Sequence, residues 1–340
     1  MVLVHSYAQA VFFFLIAMTC WGSWANTQKL AAKNWRFELF YWDVAVGLLL
    51  FALLAAFTLG TFGAEPGGRT FLEDIQQADL QSIGYGVLGG VFWNIGSFLI
   101  SAAISLAGLA IGFPIGAGLA WLGGTILGYI TEINTTGSSS SNPVLLFSGM
   151  AFGIVAIYLS MVAYRRLASQ RKGSSSVKGI VLAVLGGLSI APFYTVTMYG
   201  MDPAFGLSGT GKLTPYSGVV CFALGAFLST FVINPIFMAH PVDSEPVKIT
   251  EYFKGTLTSH LWGILGGSIW MLGLVVSFIS AGQNSTIAYA LSNAAPLVGT
   301  SWGVFAWKEF KGAPEGTNKI LTFMFLLFIA ALVLITLSKS

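Results

Sequence analysis

A chain of 340 residues with 55% hydrophobic and only 9% charged side chains, and a mean hydropathy of +0.79, cannot dress a water-facing surface, since soluble domains carry about 25% charge. Its outside must face hydrocarbon, which makes it an integral membrane protein and excludes a soluble two-domain enzyme. The net charge of +3 comes without a basic, aromatic-interleaved surface of the kind that binds nucleic acid.

A bilayer-crossing helix needs about 20 apolar residues. Runs of that kind fall at 9–29, 38–60, 80–105, 107–131, 144–165, 178–200, 216–239, 256–281, 284–307 and 319–338, which predicts ten spans. The first lacks a basic leader and a small-x-small cleavage site, so it is a retained span and not a signal peptide. It ends in CWGSWANTQK, where Trp21 and Trp24 share a face and Lys29 can snorkel to the headgroups. A polar inner half fits a helix that lines a water-accessible path; an ordinary interfacial belt is the alternative. The second span opens on FELFYWD. Asp43 lies about 7 Å deeper than Glu38 along that helix, and two roles are open to it: proton carrier, or salt-bridge partner of Lys29, Lys33 or Arg36. Short links join spans three to four and eight to nine, predicting tight helical hairpins. In span eight, His260 reads as a packed, hydrogen-bonded histidine or a relay, and Glu309, in WKEFK, as an ion-paired anchor.

Loops 1–2, 5–6, 7–8 and 9–10 hold thirteen of the sixteen Lys and Arg residues. The positive-inside rule then makes that side cytoplasmic and turns both termini outward, as in a multi-pass protein of the cytoplasmic (inner) membrane. Cys20 and Cys221 lie in apolar runs, so neither a disulfide framework nor a metal site is expected. GxGxxG after a strand, P-loop, HExxH and GxSxG are all missing, so the chain reads as neither an enzyme nor a cofactor binder.

GGVFW at 89–93 recurs as GGSIW at 266–270, with Gly96 and Gly273 at the same offset. These are spans three and eight, five apart, so the second copy enters from the opposite face and the repeat is inverted. The division is 1–168 for the first five-helix repeat, 169–177 for a basic cytoplasmic linker and 178–340 for the second repeat. Gly108, Gly112, Gly116, Ala120, Gly124 and Gly128 recur every fourth residue in span four. Ala288, Ser292, Pro296 and Thr300 do so in span nine. Such stripes permit close helix packing, a dimer seam or a sliding surface. Span depth puts Trp21, Trp93, Asn94, Ser189, Trp270 and Asn293 near the midplane, where alternating-access carriers hold cargo. Indole faces and amides suit a flat, neutral, polar ring.

The stretch 282–311, GQNSTIAYALSNAAPLVGTSWGVFAWKEFK, resembles the penultimate helix of the ureide permeases and the related glucose/ribose porters, of the drug/metabolite transporter superfamily. CWGSWANTQK with FYWD, GGVFWNIGSFLI, and LTPYS, NPIFMAHPV and YFKGTLTSHLWGILGGSIW extend that resemblance over nearly the whole chain. It implies an all-α carrier of ten helices in two inverted five-helix repeats, and proton-coupled uptake of ureides and nucleobases such as allantoin, uracil or a purine. Sugars are the alternative; efflux of aromatic drugs and a non-transporting sensor come after it. The substrate-binding positions implied are Trp21, Trp24, Trp93, Asn94, Tyr289 and Asn293, with Pro296 beside them; Asp43 and Glu38 would couple protons, with sodium as the other candidate ion. The expected partners are a small-molecule substrate and the bilayer, for a monomer or weak homodimer. One departure stands out: RRLASQRKGSSSVK is short and lacks the nucleotide-binding-like motif of the plant permeases' central loop.

Overall fold

The computed structural model describes residues 1–31, 35–63, 65–107, 109–168, 177–202, 211–241 and 245–339. Lys33, Gly108, Arg171, Lys172 and all but the last residue of the expected linker lie outside them. Regular structure among the described residues is helical, with two isolated bridges, Ser141–Lys339 and Met201–Leu213. In chain order the helices are α1 (Tyr7–Ser23), α2 (Ala25–Ala31), α3 (Phe37–Phe57), α4 (Leu59–Phe62), α5 (Phe71–Gln77), α6 (Leu80–Ala107), α7 (Leu109–Thr136) and α8 (Pro143–Ala168). The second half holds α9 (Val177–Ile190), α10 (Phe193–Tyr199), α11 (Pro215–Ala239), α12 (Leu257–Ser280), α13 (Ser285–Ser292), α14 (Pro296–Ser301) and α15 (Thr317–Leu337).

Local chemistry sets several of the starts. Thr214 accepts from the Ser217 N–H ahead of α11, with Pro215 in the first turn, where its missing N–H costs nothing. Thr70 and Glu73 form a reciprocal capping box on α5. Nine stretches among the described residues are long and apolar enough to cross a bilayer. The ninth expected span, 284–307, is the one missing from these and is not one continuous helix. It comprises α13, a break at Asn293–Ala295, α14, and a π-helical turn over Trp302–Ala306. The physical reason is visible at the break: Pro296 has no N–H to continue the ladder, and α13 closes by the tight bond from Ala294 N to Leu291 O.

The helix pairings come in matched sets. Equating α1–α2 with α9–α10, α3 with α11, α6 with α12, α7 with α13–α14 and α8 with α15, the pair α3–α12 answers to α11–α6 and α1–α12 to α9–α6. Likewise α7–α9 answers to α13–α1, while α3–α11 and α8–α15 map onto themselves. Backbone approach follows the same rule. A Cβ at Gly47 would overlap the Ile264 carbonyl and one at Gly267 that of Val44; Gly225 stands so against Val87, and Gly90 against Phe222. The α7 stripe is used for packing: Gly112 lies on the α6 backbone, Gly116 on Ile100 and Gly124 on the Tyr289 ring.

Contacts divide the loops between two ends. At one, the Met1 amino group meets Gly63 O, His5 meets Glu65, and the Tyr7 hydroxyl donates to Thr336 O beside the Ser141–Lys339 bridge. At the other, Lys29 pairs with Glu309 and Arg36 reaches both Glu38 and the Glu245 carbonyl. Both chain ends therefore share one face and the described 1–2, 7–8 and 9–10 links share the opposite one.

Candidate functional site

The two Gly-Gly pairs draw α6 onto α11 and α12 onto α3, and each leads, three residues later, to a tryptophan. Those tryptophans meet: the Trp93 and Trp270 rings are 4.2 Å apart, centre to centre, at 45°. Trp21 stacks on Trp270 at 5.4 Å and 21°, and Phe222 does so at 5.6 Å and 10°. Trp21 sits where Gly273 leaves room and donates Nε1–H to the Trp270 carbonyl at 3.1 Å. Phe193 links this group to Tyr289, which packs edge-on to Tyr194 at 5.3 Å. Every ring named is buried. Such contacts contribute about 0.5–1.5 kcal/mol per pair beyond area burial. The phenols bond inward: Tyr289 to Ala120 O at 2.7 Å, and Tyr194 to Ser277 at 3.1 Å, with Ser292 following at 3.3 Å.

Of the residues singled out from sequence, Trp21, Trp93 and Tyr289 join this cluster, around Trp270. Asn94, one residue on, is fully buried; its Nδ2 meets Ala226 O, Ser229 Oγ and Thr230 Oγ1 on α11 at 2.9–3.0 Å. Its Oδ1 is a buried acceptor with no hydrogen-bond partner, and such a group is costly unless something pairs with it. Trp24, half-buried, stands at the α1–α2 joint. Asn293 caps α13 and donates to Tyr289 O at 3.1 Å. Ser189 donates to Phe92 O at 3.1 Å.

A second polar centre lies ten residues from Trp270 along α12, about 15 Å away. Asp43 is 1% exposed. Its Oδ1 accepts from the Tyr252 hydroxyl at 2.5 Å and lies 2.9 Å from His260 Nδ1; its Oδ2 accepts from Trp35 Nε1 at 3.3 Å. Gly263 makes the room, since a Cβ there would overlap that of Asp43. Lys29 goes instead to Glu309 and Arg36 to Glu38, at 2.6 and 2.8 Å. Tyr252 stands in the 7–8 link, on a short 3-10 turn over Ile249–Lys254. Burial and the adjoining carboxylate push its phenol above the ordinary value, so it stays a donor. Sequence reasoning missed Trp35 and Tyr252; a tyrosine 209 residues from its partner leaves no local signal.

A family model described as Ureide permease matches residues 40–172 and 163–338. "Ureide permease 2" of Arabidopsis thaliana is 24% identical over 401 aligned positions, covering 100% of this chain and 99% of the relative. "Probable glucose uptake protein GlcU" of Bacillus cereus is 23% identical over 76% of this chain and 80% of its own length. A protein of known crystal structure aligns over 98% of both chains with a TM-score of 0.62 at 16% identity, a likeness of fold alone.

Proposed function

This chain belongs to the ureide permease family, and we propose that it is a secondary active transporter that takes up a small, neutral, ring-shaped metabolite, a ureide or nucleobase, with protons. The observation that carries the cargo class is the Trp21–Trp270–Phe222 stack with Trp93 against it, built from four separate helices at the heart of the bundle. Flat π-faces hold a flat cargo by stacking, and the unpartnered Asn94 Oδ1 beside Trp93 supplies an acceptor for a ring N–H. A sugar is the second reading, favoured by the relative named for glucose uptake. Two inverted repeats, 1–168 and 178–340, would rock about the centre, and Asp43, hydrogen-bonded to Tyr252 and His260, is the coupling group this reading favours. Glu38, held by Arg36, would serve as an ion-paired neighbour.

The test is uptake into proteoliposomes of labelled allantoin, uracil, hypoxanthine, glucose, ribose and rhamnose, with and without an inward proton gradient. Accumulation of the heterocycles only when the outside is acid supports the reading. Accumulation confined to sugars selects the second one, and uptake indifferent to the gradient removes proton coupling. Trp93→Ala is expected to weaken heterocycle binding by about 1–3 kcal/mol, about fivefold or more, as loss of a stacking face does elsewhere. Equal affinities in variant and parent, by calorimetry, remove Trp93 from the site.

The charge bias assigns the face holding Lys29 and Arg36 to the cytoplasm of a cell bounded by an inner membrane. A cysteine in place of Ser139, in a C20S/C221S background, is then expected to react with an impermeant maleimide added outside intact cells. Reaction only from the cytoplasmic side reverses the assignment.

A further inference from the structure

The polar inner half of the first span has partners of its own. Ser23, Asn26 and Lys29 follow one another at three-residue spacing across the α1–α2 joint, and each meets the segment that follows α14. Trp302 Nε1 donates to Ser23 Oγ at 2.8 Å, Trp307 Nε1 to Asn26 Oδ1 at 2.6 Å, and Lys29 Nζ to Glu309 Oε1 at 2.6 Å. The Lys29 ammonium also lies 4.3 Å from the centre of the Trp307 ring, and Tyr164 donates to the other Glu309 oxygen at 3.3 Å. These three rungs span about 9 Å of helix. They begin two residues past Trp21, in the ring cluster, and end at Lys29, whose side chain is 46% exposed. The row therefore closes a seam that runs from the ring cluster to the basic face.

Both edges of that seam depart from regular helix. On one side α1 gives way to α2 at Trp24; on the other stands the π turn over Trp302–Ala306, followed by Lys308 at φ +51. π turns gather at functional sites. The fixed contacts of this protein are made by glycine against backbone, as at Gly47 and Gly267, and Gly22 meets the Ala295 carbonyl in that way at the inner end of this seam; along the three rungs the contacts are of another kind. Here hydroxyl, amide, indole N–H, ammonium and carboxylate face one another, and all of them can be satisfied by water once parted.

We propose that this seam is the route by which cargo leaves toward the basic face, closed in this structure, with Ser23, Asn26, Lys29, Trp302, Trp307 and Glu309 as its gating residues. The proposal rests on the transport reading given above. One experiment separates the two. In the full-length C20S/C221S protein, Val298→Cys puts a small thiol inside the seam, where a Cβ at Gly22 would overlap Val298. Removing a rung by Asn26→Ala, or more mildly by Ser23→Ala, is expected to raise the rate at which an impermeant maleimide labels that thiol from the basic face, about fivefold for one lost hydrogen bond. A rate unmoved by either variant, or labelling only from the other face, overturns the proposal. The second arm joins Lys29→Cys to Glu309→Cys with a short reducible bifunctional reagent. Uptake is expected to stop while cargo binding persists, and to return on reduction; undiminished uptake by the linked protein overturns the gate. If the unlinked protein neither binds nor moves any cargo of the panel, the transport reading falls, and the labelling arm still decides whether the seam opens.

Discussion

Asp43→Asn is expected to abolish gradient-driven accumulation while leaving exchange of internal for external cargo intact. Asparagine matches aspartate in shape and keeps one oxygen to accept from the Tyr252 hydroxyl; its Nδ2 replaces the oxygen that faces the Trp35 indole, so only that longer 3.3 Å bond is given up. What it cannot do is gain and lose a charge. One pH unit across the membrane supplies about 1.4 kcal/mol, an accumulation of about tenfold per proton carried. For the variant that ratio is expected to fall to about one at every gradient, whereas counterflow, which needs no net proton movement, continues. The measurement is steady-state accumulation against imposed pH difference, beside counterflow in the same vesicles. Accumulation that survives the substitution moves the coupling group elsewhere. Tyr252→Phe is the informative neighbour: it removes one donor to the carboxylate and is expected to shift the pH dependence of uptake without ending accumulation.

Gly90→Val and Gly267→Val are each expected to cost most of the folded protein. At both positions the missing side chain is replaced by a carbonyl of the facing helix, Phe222 O for Gly90 and Val44 O for Gly267. Valine would have to part α6 from α11, or α12 from α3, and with them the Trp93–Trp270 contact one turn away. Overpacking in a close-packed interior costs about 1–3 kcal/mol or more, and here the obstruction is backbone that no rotamer change can move. The checks are monodisperse yield after detergent extraction and the thermal midpoint. Gly84→Ala is the control: nothing lies within 4 Å of a Cβ there, and alanine favours a helix by about 0.5–1 kcal/mol over glycine. It is expected to be neutral or mildly stabilising, and a valine variant at Gly90 that behaves as well as Gly84→Ala refutes the packing account.

The duplicated Gly-Gly-x-x-Trp motif was legible in the sequence because a close helix crossing admits so few residue types, and the two tryptophans it carries do meet. The ninth expected span was harder. Its composition is apolar enough to cross a bilayer, and composition alone made it continuous; the sequence SNAAP was the break signal, since proline at 296 removes a donor just where α13 ends. Charge partners were the least legible. Lys29, Lys33 and Arg36 are near Asp43 in sequence, yet Lys29 finds Glu309, 280 residues away, and Asp43 finds His260, 217 residues away. Chain proximity predicts neighbours on one helix; across a bundle, only the packing of whole helices decides them. His260 as a hydrogen-bonded histidine and Glu309 as an ion-paired anchor followed from residue type, without naming the partner.

The matched helix pairings have one more consequence. The seat offered by Gly273 is filled by Trp21, while the corresponding seat at Gly96 is filled by Ile190. Backbones that answer to each other thus carry unlike surfaces: indole with a hydrogen-bonded row on one side, aliphatic carbon on the other. Two closures built from different chemistry differ in stability, and two conformations of unequal free energy are not equally populated. In the absence of any driving gradient, this protein should be found facing one compartment more often than the other, with unequal initial rates of entry and exit.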